Sequence, residues 1–270
     1  MDEVAQRAPA LLRGDVWAAI RRSDALGGGV LQRFAAPRLT ADGLAVSAAA
    51  RTTPTTLRYV AVLAQLIARF GARRVPAAVS DLALDAYEIC EVGGGYGGMA
   101  HAVLAWDAAR FGGASAARIR YRIFDLVEVA ALQRRYLGEL GWSAPRVVAT
   151  TLEAATRDEL RHCDLVISNY ALSELDELTQ LRYSSLLIES ARVGLYAAMN
   201  HFDAERRGRA FEAELAARGW IVTREEESVR DETGAASELV VGFAPLFTKE
   251  GEGARKRGRW HARRLNQTVH

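Results

Sequence analysis

The segment from Glu88 to Gly98 constrains the fold more than any other part of this chain. It reads Glu-Ile-Cys-Glu-Val-Gly-Gly-Gly-Tyr-Gly-Gly, and a helix-like segment follows from Met99. Glycines at this density permit a tight turn with positive φ and let a ligand approach the backbone closely. The open N–H groups at the start of the next helix favour a polar or anionic ligand group. The segment therefore predicts a strand, a turn and a helix that bind an adenosine-type cofactor.

Glu91 indicates which cofactor binds. Gly93, Gly95 and Gly98 also fit the G-x-G-x-x-G pattern of nicotinamide-binding proteins. Glu91, however, lies at the carboxyl end of the predicted strand, where its carboxylate would repel a diphosphate. S-adenosylmethionine has no phosphate, and its ammonium and sulfonium groups are cationic. We therefore predict that Glu91, Gly93 and Gly95 bind S-adenosylmethionine; a glycine-rich turn without a ligand is the alternative.

A second acid follows the next strand-like run, which covers residues 119–124. In a βαβ nucleotide fold, an acid at the position of Asp125 accepts hydrogen bonds from ribose hydroxyls. Asp125 with Glu128 also fits a capping box ahead of a helix over residues 129–140. Both interpretations stay open, and we favour the ribose.

Length and cysteine content limit the domain organisation and the cellular location of the protein. A chain of 270 residues fits one α/β domain with an appended helical segment. Cys90 and Cys163 each lie in an apolar run, which predicts two buried free thiols in a reducing compartment. No stretch resembles a signal peptide, and no apolar run approaches the ~20 residues that span a bilayer. The expected location is cytoplasmic, with no membrane partner.

Positive charge is concentrated at the end of the chain. The whole chain carries +2 and residues 249–270 carry +5, so residues 1–248 carry −3. We interpret the basic segment as a solvated end. It could instead contact nucleic acid, but a polyanion-binding body would be expected to be basic.

The chain divides into three parts: a helical N-terminal segment (1–80), a nucleotide-binding body (81–247) and a basic C-terminal tail (248–270). Thr53-Pro54 predicts a helix start, with threonine as N-cap and proline in the first turn. In the body, strands alternate with helices, which predicts a parallel sheet with helices on both faces. Strand-like runs over 220–223 and 238–243 have no helix between them and predict a final antiparallel hairpin.

These motifs together resemble the bacterial sugar O-methyltransferase family. The resemblance rests on residues 91–98, on Asp125-Leu126 with Glu128, on residues 168–171 with Ser173-Glu174, and on Asn200. Val127 departs from it, since the family has proline there. The resemblance implies a Rossmann-like, seven-stranded class I methyltransferase sheet with an antiparallel final strand and an N-terminal helical cap. It also implies methyl transfer from S-adenosylmethionine to a hydroxyl of a sugar or sugar-bearing metabolite.

The same resemblance suggests further cofactor contacts. Leu126 and Asn169 belong to its motifs, and Thr151 and Leu152, which follow the third strand, would lie near the adenine. Tyr96 could lie beside the sulfonium, where its ring would attract a cation. Alternatively, Tyr96 packs against the N-terminal helices.

Candidates for the general base follow the fourth and fifth strands. His201 has a suitable ordinary pKa near 6.5, and Glu174 would need its pKa raised by burial; each could instead be a surface residue or a helix cap. His101 and His162 are expected to be structural. The acids are scattered, so no metal site is predicted.

Arg51, Arg58 and Tyr59 are candidate acceptor contacts in the helical cap. Two other functions stay open: a nucleic-acid methyltransferase that uses the basic tail, and a non-catalytic cofactor-binding subunit. The sequence also leaves a homodimer open.

Overall fold

The computed structural model describes residues 11, 14–26, 32–33, 51–70, 88–113, 118–156, 159–160, 162–188, 191–199, 209–230 and 236–244. The helices are α1 (Gly14–Arg21), α2 (Pro54–Phe70), α3 (Gly98–Phe111), α4 (Val127–Glu139), α5 (Ala171–Glu174), α6 (Glu177–Tyr183) and α7 (Arg209–Ala217). A 3₁₀ turn, Arg22–Ala25, follows α1, and a π-helical turn, Ser184–Ile188, follows α6. The strands are β1 (Gln32–Arg33), β2 (Arg51–Thr52), β3 (Glu88–Val92), β4 (Arg120–Phe124), β5 (Val147–Thr150), β6 (Leu165–Asn169), β7 (Gly194–Met199), β8 (Ile221–Arg230) and β9 (Ala236–Phe243).

Seven strands form one sheet in the order β5-β4-β3-β6-β7-β9-β8. The five strands from β5 to β7 are parallel, whereas β9 is antiparallel to both of its neighbours. The predicted Rossmann-like sheet with an antiparallel final strand is therefore confirmed. The direction of winding reverses between β3 and β6, which places a ligand crevice at the carboxyl ends of these strands.

Successive side chains of the central strand β3 belong to two hydrophobic clusters, one on each face of the sheet. Ile89 belongs to a hydrophobic cluster shared with α1, α2, α3 and α4. Cys90 and Val92 belong to a second cluster on the opposite face, with residues of α5, α6 and α7 nearby. Because side chains alternate along a strand, Glu91 points to the same face as Ile89.

Helix α2 lies along the first face and runs antiparallel to the strands. Its first turns reach the carboxyl edge of the sheet, where the ring of Tyr59 lies against Gly98. Its last residue, Phe70, packs on Phe243 and close to Gly194 at the other edge. Helix α2 thus shares the core of the sheet, and its first turns lie at the crevice.

The start of α2 is held by side-chain hydrogen bonds, as the Thr53-Pro54 pattern predicts. Thr53 Oγ1 accepts a hydrogen bond from the Thr56 backbone N–H at 3.1 Å. Asp24 accepts hydrogen bonds from the hydroxyls of Thr52 at 2.6 Å and of Thr56 at 2.8 Å. The predicted N-cap is confirmed, and Asp24 fixes the position of the first turn.

Cys90 and Cys163 form a disulfide, so the prediction of two free thiols is wrong. The residues are 73 positions apart, but β3 and β6 are neighbours, which brings their Cα atoms to 5.7 Å. Both side chains are fully buried. In the chain-entropy model a loop of this length adds about 4 kcal/mol of stability. The two cysteines therefore give no support for a reducing compartment.

Two further features differ from the sequence prediction. Strand β8 continues to Arg230, beyond the predicted end at Thr223, through a run of charged residues. An edge strand has one side open to solvent, so charged side chains are tolerated there. The antiparallel ribbon of β1 and β2 was not anticipated.

None of the described helices is long and apolar enough to cross a membrane.

His101 is buried in α3 and makes structural contacts, as expected. Its Nδ1 accepts a hydrogen bond from Trp142 Nε1 at 2.9 Å, and its Nε2 donates to the carbonyl of Ile20 at 3.0 Å. Burial lowers the pKa of His101 from 6.5 to about 4, so the ring is neutral in the folded protein. The histidine therefore links α3 to α1 and to the segment after α4.

We expect the low pKa of His101 to make folding sensitive to acid. Between pH 6.5 and pH 4 the unfolded chain binds a proton at His101 that the folded chain does not, so the contribution of His101 to stability falls as pH falls. This contribution should fall by about 2 kcal/mol from pH 7 to pH 5, so the stability of the wild type relative to His101→Gln should fall by that amount. The measurement is urea unfolding of both proteins at each pH. An equal pH dependence in the two proteins would contradict the expectation.

Candidate cofactor site

The glycine turn after β3 contains two positions with different constraints. Gly93 has φ +70°, and a Cβ there would lie 2.1 Å from the Cβ of Ala171, at the start of α5. Gly95 has φ +54°, and a Cβ there would meet nothing within 4 Å. Gly93 therefore permits the close packing of β3 on α5, whereas Gly95 borders open space at the carboxyl edge of the sheet.

Glu91 is a buried carboxylate at the base of this turn. It is 1% exposed, and it accepts hydrogen bonds from the Tyr121 hydroxyl at 3.1 Å and from Asn169 Nδ2 at 3.3 Å. Burial raises the pKa of Glu91 from 4.5 to about 7, although both hydrogen bonds oppose the shift. Within the described ranges, none of the basic side chains makes an ion pair with it. The site thus holds an acid whose charged form would gain from a cationic ligand.

Asp125 lies at the end of β4, next to the glycine turn. Its Oδ2 accepts a hydrogen bond from Gln133 Nε2 at 2.8 Å, and the same nitrogen lies 2.8 Å from the carbonyl oxygen of Gly95. Its Oδ1 accepts from the N–H of Leu126 at 2.9 Å. Gln133 therefore fixes the carboxylate relative to the turn. No sequence pattern indicates this role, because Gln133 is an internal helix residue eight positions away.

The capping-box interpretation of Asp125 is wrong. Helix α4 begins at Val127, two residues earlier than predicted, and its N-cap is Leu126, which makes no side-chain capping bond. Asp125 lies one residue before that N-cap, so its carboxylate bonds the N–H of Leu126 and not one inside the helix. This leaves the ribose interpretation as the prediction for Asp125.

The residues predicted near the adenine lie in different environments. Leu126 is 70% exposed, an unusual exposure for leucine, and lies beside Asp125. Thr151 follows β5, and its hydroxyl accepts from the Ala154 N–H at 3.1 Å within a turn. Leu152 is buried in the second hydrophobic cluster. Leu126 and the Thr151 turn are thus available at the crevice, while the side chain of Leu152 belongs to the core.

Tyr96, in the glycine turn, is packed between two other tyrosines. Its ring lies edge-on to that of Tyr59 in α2, with 6.1 Å between centroids, and to that of Tyr136 in α4, at 4.9 Å. Burial is the largest cause of the raised pKa of each of the three. This is the packing against the N-terminal helices that the sequence left open. The predicted contact of Tyr96 with a sulfonium stays a prediction.

The residues after β6 form the other wall of the crevice. Asn169 ends the strand and bonds Glu91, and Tyr170 follows it with φ +74°. The ring of Tyr170 stacks on the guanidinium of Arg58 at 3.9 Å. Glu174 is the last residue of α5, and its side chain is exposed. Asn200 and His201 lie outside the described residues.

Sequence reasoning missed Tyr121 as part of this site. Glu91 pairs with Ile123 across the β3–β4 ladder, so Tyr121, two residues earlier, lies diagonally beside Glu91 on the same face. Only the strand register reveals this contact.

Within the described ranges, no three His, Cys, Asp or Glu side chains are arranged to hold a metal ion.

Comparison with known proteins gives similarity to solved structures alone. No family model matches the chain, and no curated protein does. The methyltransferase domain of bacterial CtHen1 matches with 14% identity and a TM-score of 0.43, over 65% of this chain and 100% of that one. The carbon methyltransferase DszA matches with 16% identity and a TM-score of 0.45, over 71% and 55%. The mitomycin 7-O-methyltransferase MmcR matches with 18% identity and a TM-score of 0.41, over 70% and 57%. The match thus covers little more than half the length of DszA and of MmcR.

Proposed function

We propose that this protein binds S-adenosylmethionine and transfers its methyl group to a hydroxyl of a sugar or sugar-bearing small molecule. The observation that carries the cofactor assignment is Glu91, a buried carboxylate without a described cationic partner, at the base of the glycine turn. A diphosphate at this place would meet a like charge, whereas an ammonium would be attracted. Asp125, held by Gln133, lies at the adjoining strand end where a ribose would bind.

The residues present fit this group in three respects. Gly95 borders open space, so the backbone can be approached. Glu91 favours a cation, and Asp125 offers carboxylate oxygens at the end of β4. When bound, S-adenosylmethionine would supply an electrophilic methyl group on its sulfonium.

The contribution of the chain to the chemistry is binding, orientation and proton removal. Alignment of two reactants in one crevice can provide much of the rate acceleration. A base of this chain would take the hydroxyl proton of the acceptor, whose oxygen would receive the methyl group while the electron pair of the broken bond stayed on the sulfur. Glu174 and His201 are our candidates for that base. A sugar as acceptor, and a cytoplasmic location, rest on the sequence interpretation.

We expect S-adenosylhomocysteine to stabilise the protein against heat and NAD to have no effect. Ligand at ~100 times its dissociation constant adds about 2.7 kcal/mol. For a chain of this size that is a rise in Tm of roughly 5–10 °C. A thermal-shift series with both ligands, followed by titration calorimetry, makes the measurement. A rise with NAD and none with S-adenosylhomocysteine would overturn the cofactor assignment.

The acceptor class needs a separate experiment. Transfer of a labelled methyl group from S-adenosylmethionine should be measured with sugars, glycosylated small molecules and RNA as acceptors. Asp125→Ala, in which we expect weaker cofactor binding, is measured beside the wild type. Labelling of a sugar hydroxyl supports the proposal. Labelling of RNA alone would replace it with the nucleic-acid alternative.

A further inference from the structure

Arg58 lies in the second turn of α2, above the residues that follow β6. Its guanidinium carbon is 3.9 Å from the centre of the Tyr170 ring. Its Nη2 is buried and has no hydrogen-bond partner among the residues that the structure describes. No described carboxylate forms an ion pair with it. Arg58 is therefore a partly buried cation with unused hydrogen-bonding capacity.

Glu91 is the matching acid, and Asn169 connects the two. Asn169 Nδ2 bonds Glu91, while the other amide atom, Oδ1, is buried and lacks a partner within the described part of the chain. Asn169 is followed directly by Tyr170, on which Arg58 stacks. Glu91, an acid without a described cation, thus contacts Asn169, whose amide oxygen is a free acceptor, and Arg58, a cation without a described acid, contacts the next residue, Tyr170.

This arrangement is unfavourable without a ligand and favours one particular kind of ligand. A buried charge without a partner, and a buried polar atom without a hydrogen bond, both reduce stability. A ligand with a cation and an anion on neighbouring atoms would satisfy all three groups. An α-amino-acid group has this pattern, because its ammonium and carboxylate are attached to the same carbon.

We propose that Arg58 binds the carboxylate of the amino-acid end of S-adenosylmethionine, while Glu91 and Asn169 Oδ1 accept hydrogen bonds from its ammonium. The planar guanidinium suits a carboxylate, which it can bind through two parallel N–H donors. The inference rests on the proposed function and extends it. It makes the start of α2 part of the cofactor site, where the sequence analysis expected an acceptor contact.

The test compares two ligands that differ in one carboxylate. Binding of S-adenosylhomocysteine and of decarboxylated S-adenosylhomocysteine is measured by calorimetry on the wild type, Arg58→Gln and Arg135→Gln. Arg135 is an exposed arginine of α4 and serves as the matched control. We expect Arg58→Gln to weaken S-adenosylhomocysteine by roughly 10- to 100-fold and to leave the decarboxylated ligand within about twofold. Arg135→Gln should change neither.

Each other outcome overturns the inference in a recognisable way. Equal weakening of both ligands by Arg58→Gln would mean that Arg58 supports the fold and not the carboxylate. Unchanged binding of both would place Arg58 outside the cofactor site. Binding of the decarboxylated ligand by Arg58→Gln shows that the variant is folded and its site intact. Arg58→Lys keeps the positive charge and is a second variant in case Arg58→Gln fails to fold. A wild type that binds neither ligand would refute the proposed function itself.

Discussion

Replacement of Glu91 by glutamine is expected to stabilise the free protein and to weaken its binding of S-adenosylhomocysteine. The raised pKa of Glu91, about 7 against 4.5, means that ionisation is more difficult in the folded protein than in the unfolded chain. Stability is therefore lost as pH rises from 4.5 through 7. Glutamine, which cannot ionise, should raise the free energy of unfolding by about 3 kcal/mol at pH 8 and by less than about 1 kcal/mol at pH 5.

Binding should change in the opposite direction. Glutamine removes the charge that would attract the ligand ammonium, so affinity should fall roughly 10- to 100-fold. In the wild type, Glu91 must lose its proton to bind a cation, so affinity should fall about tenfold from pH 8 to pH 6. The variant should lack this pH dependence.

Urea unfolding and calorimetric titration at several pH values make both measurements. Glu139→Gln is the matched control, since Glu139 is exposed at the end of α4. A Glu91→Gln protein with wild-type stability at pH 8 and wild-type affinity would contradict the role that we assign to Glu91.

Alanine at two glycines of the turn should produce two different defects. Gly93→Ala places a methyl group 2.1 Å from the Cβ of Ala171 at a positive φ, and its clash and strain together should cost about 3–5 kcal/mol. Gly95→Ala meets no neighbour and should cost only about 1–2 kcal/mol of backbone strain. Its methyl group, however, occupies the open space beside the turn, so affinity for S-adenosylhomocysteine should fall roughly tenfold or more.

Alanine at a third glycine, Gly112, distinguishes the effect of backbone strain from the effect of a methyl group that excludes the ligand. Gly112, at the end of α3, has φ +83°, and a Cβ there would also meet nothing within 4 Å. Gly112→Ala should therefore match Gly95→Ala in stability and leave affinity unchanged. Equal affinities for the Gly95→Ala and Gly112→Ala proteins would show that no ligand occupies the space beside Gly95.

The sheet was largely predictable because local pattern and tertiary position agree in it. Leu165–Asn169 is an apolar run that ends in Ser168 and Asn169, and Glu88–Val92 is a short buried segment that stops at the glycine turn, as buried parallel strands do. The hairpin of β8 and β9 followed from two strand-like runs without a helix between them. The extent of β8 was missed because its charged second half resembles a loop, and only its place at the sheet edge allows it to be a strand.

The site was predicted less completely, because its contacts depend on register and packing. Glu91, Gly95 and Asp125 were recognisable, since each follows a strand or lies in the glycine turn. Gln133 and Tyr121 were not, because they reach the site only through the pitch of α4 and the pairing of β3 with β4. The disulfide was missed for a similar reason, since strand adjacency, not spacing in the sequence, brings its two cysteines together.

The disulfide also makes part of the protein a closed covalent ring. The chain from Cys90 to Cys163 includes the glycine turn, α3, β4, α4 and β5, and its two ends are joined through sulfur. Cleavage of one peptide bond inside this ring opens it but separates nothing, so the products remain one molecule until a reductant is added. Cleavage outside the ring divides the polypeptide into two pieces that only noncovalent contacts hold together. The half of the sheet that bears Glu91 and Asp125 is thus covalently retained after a nick.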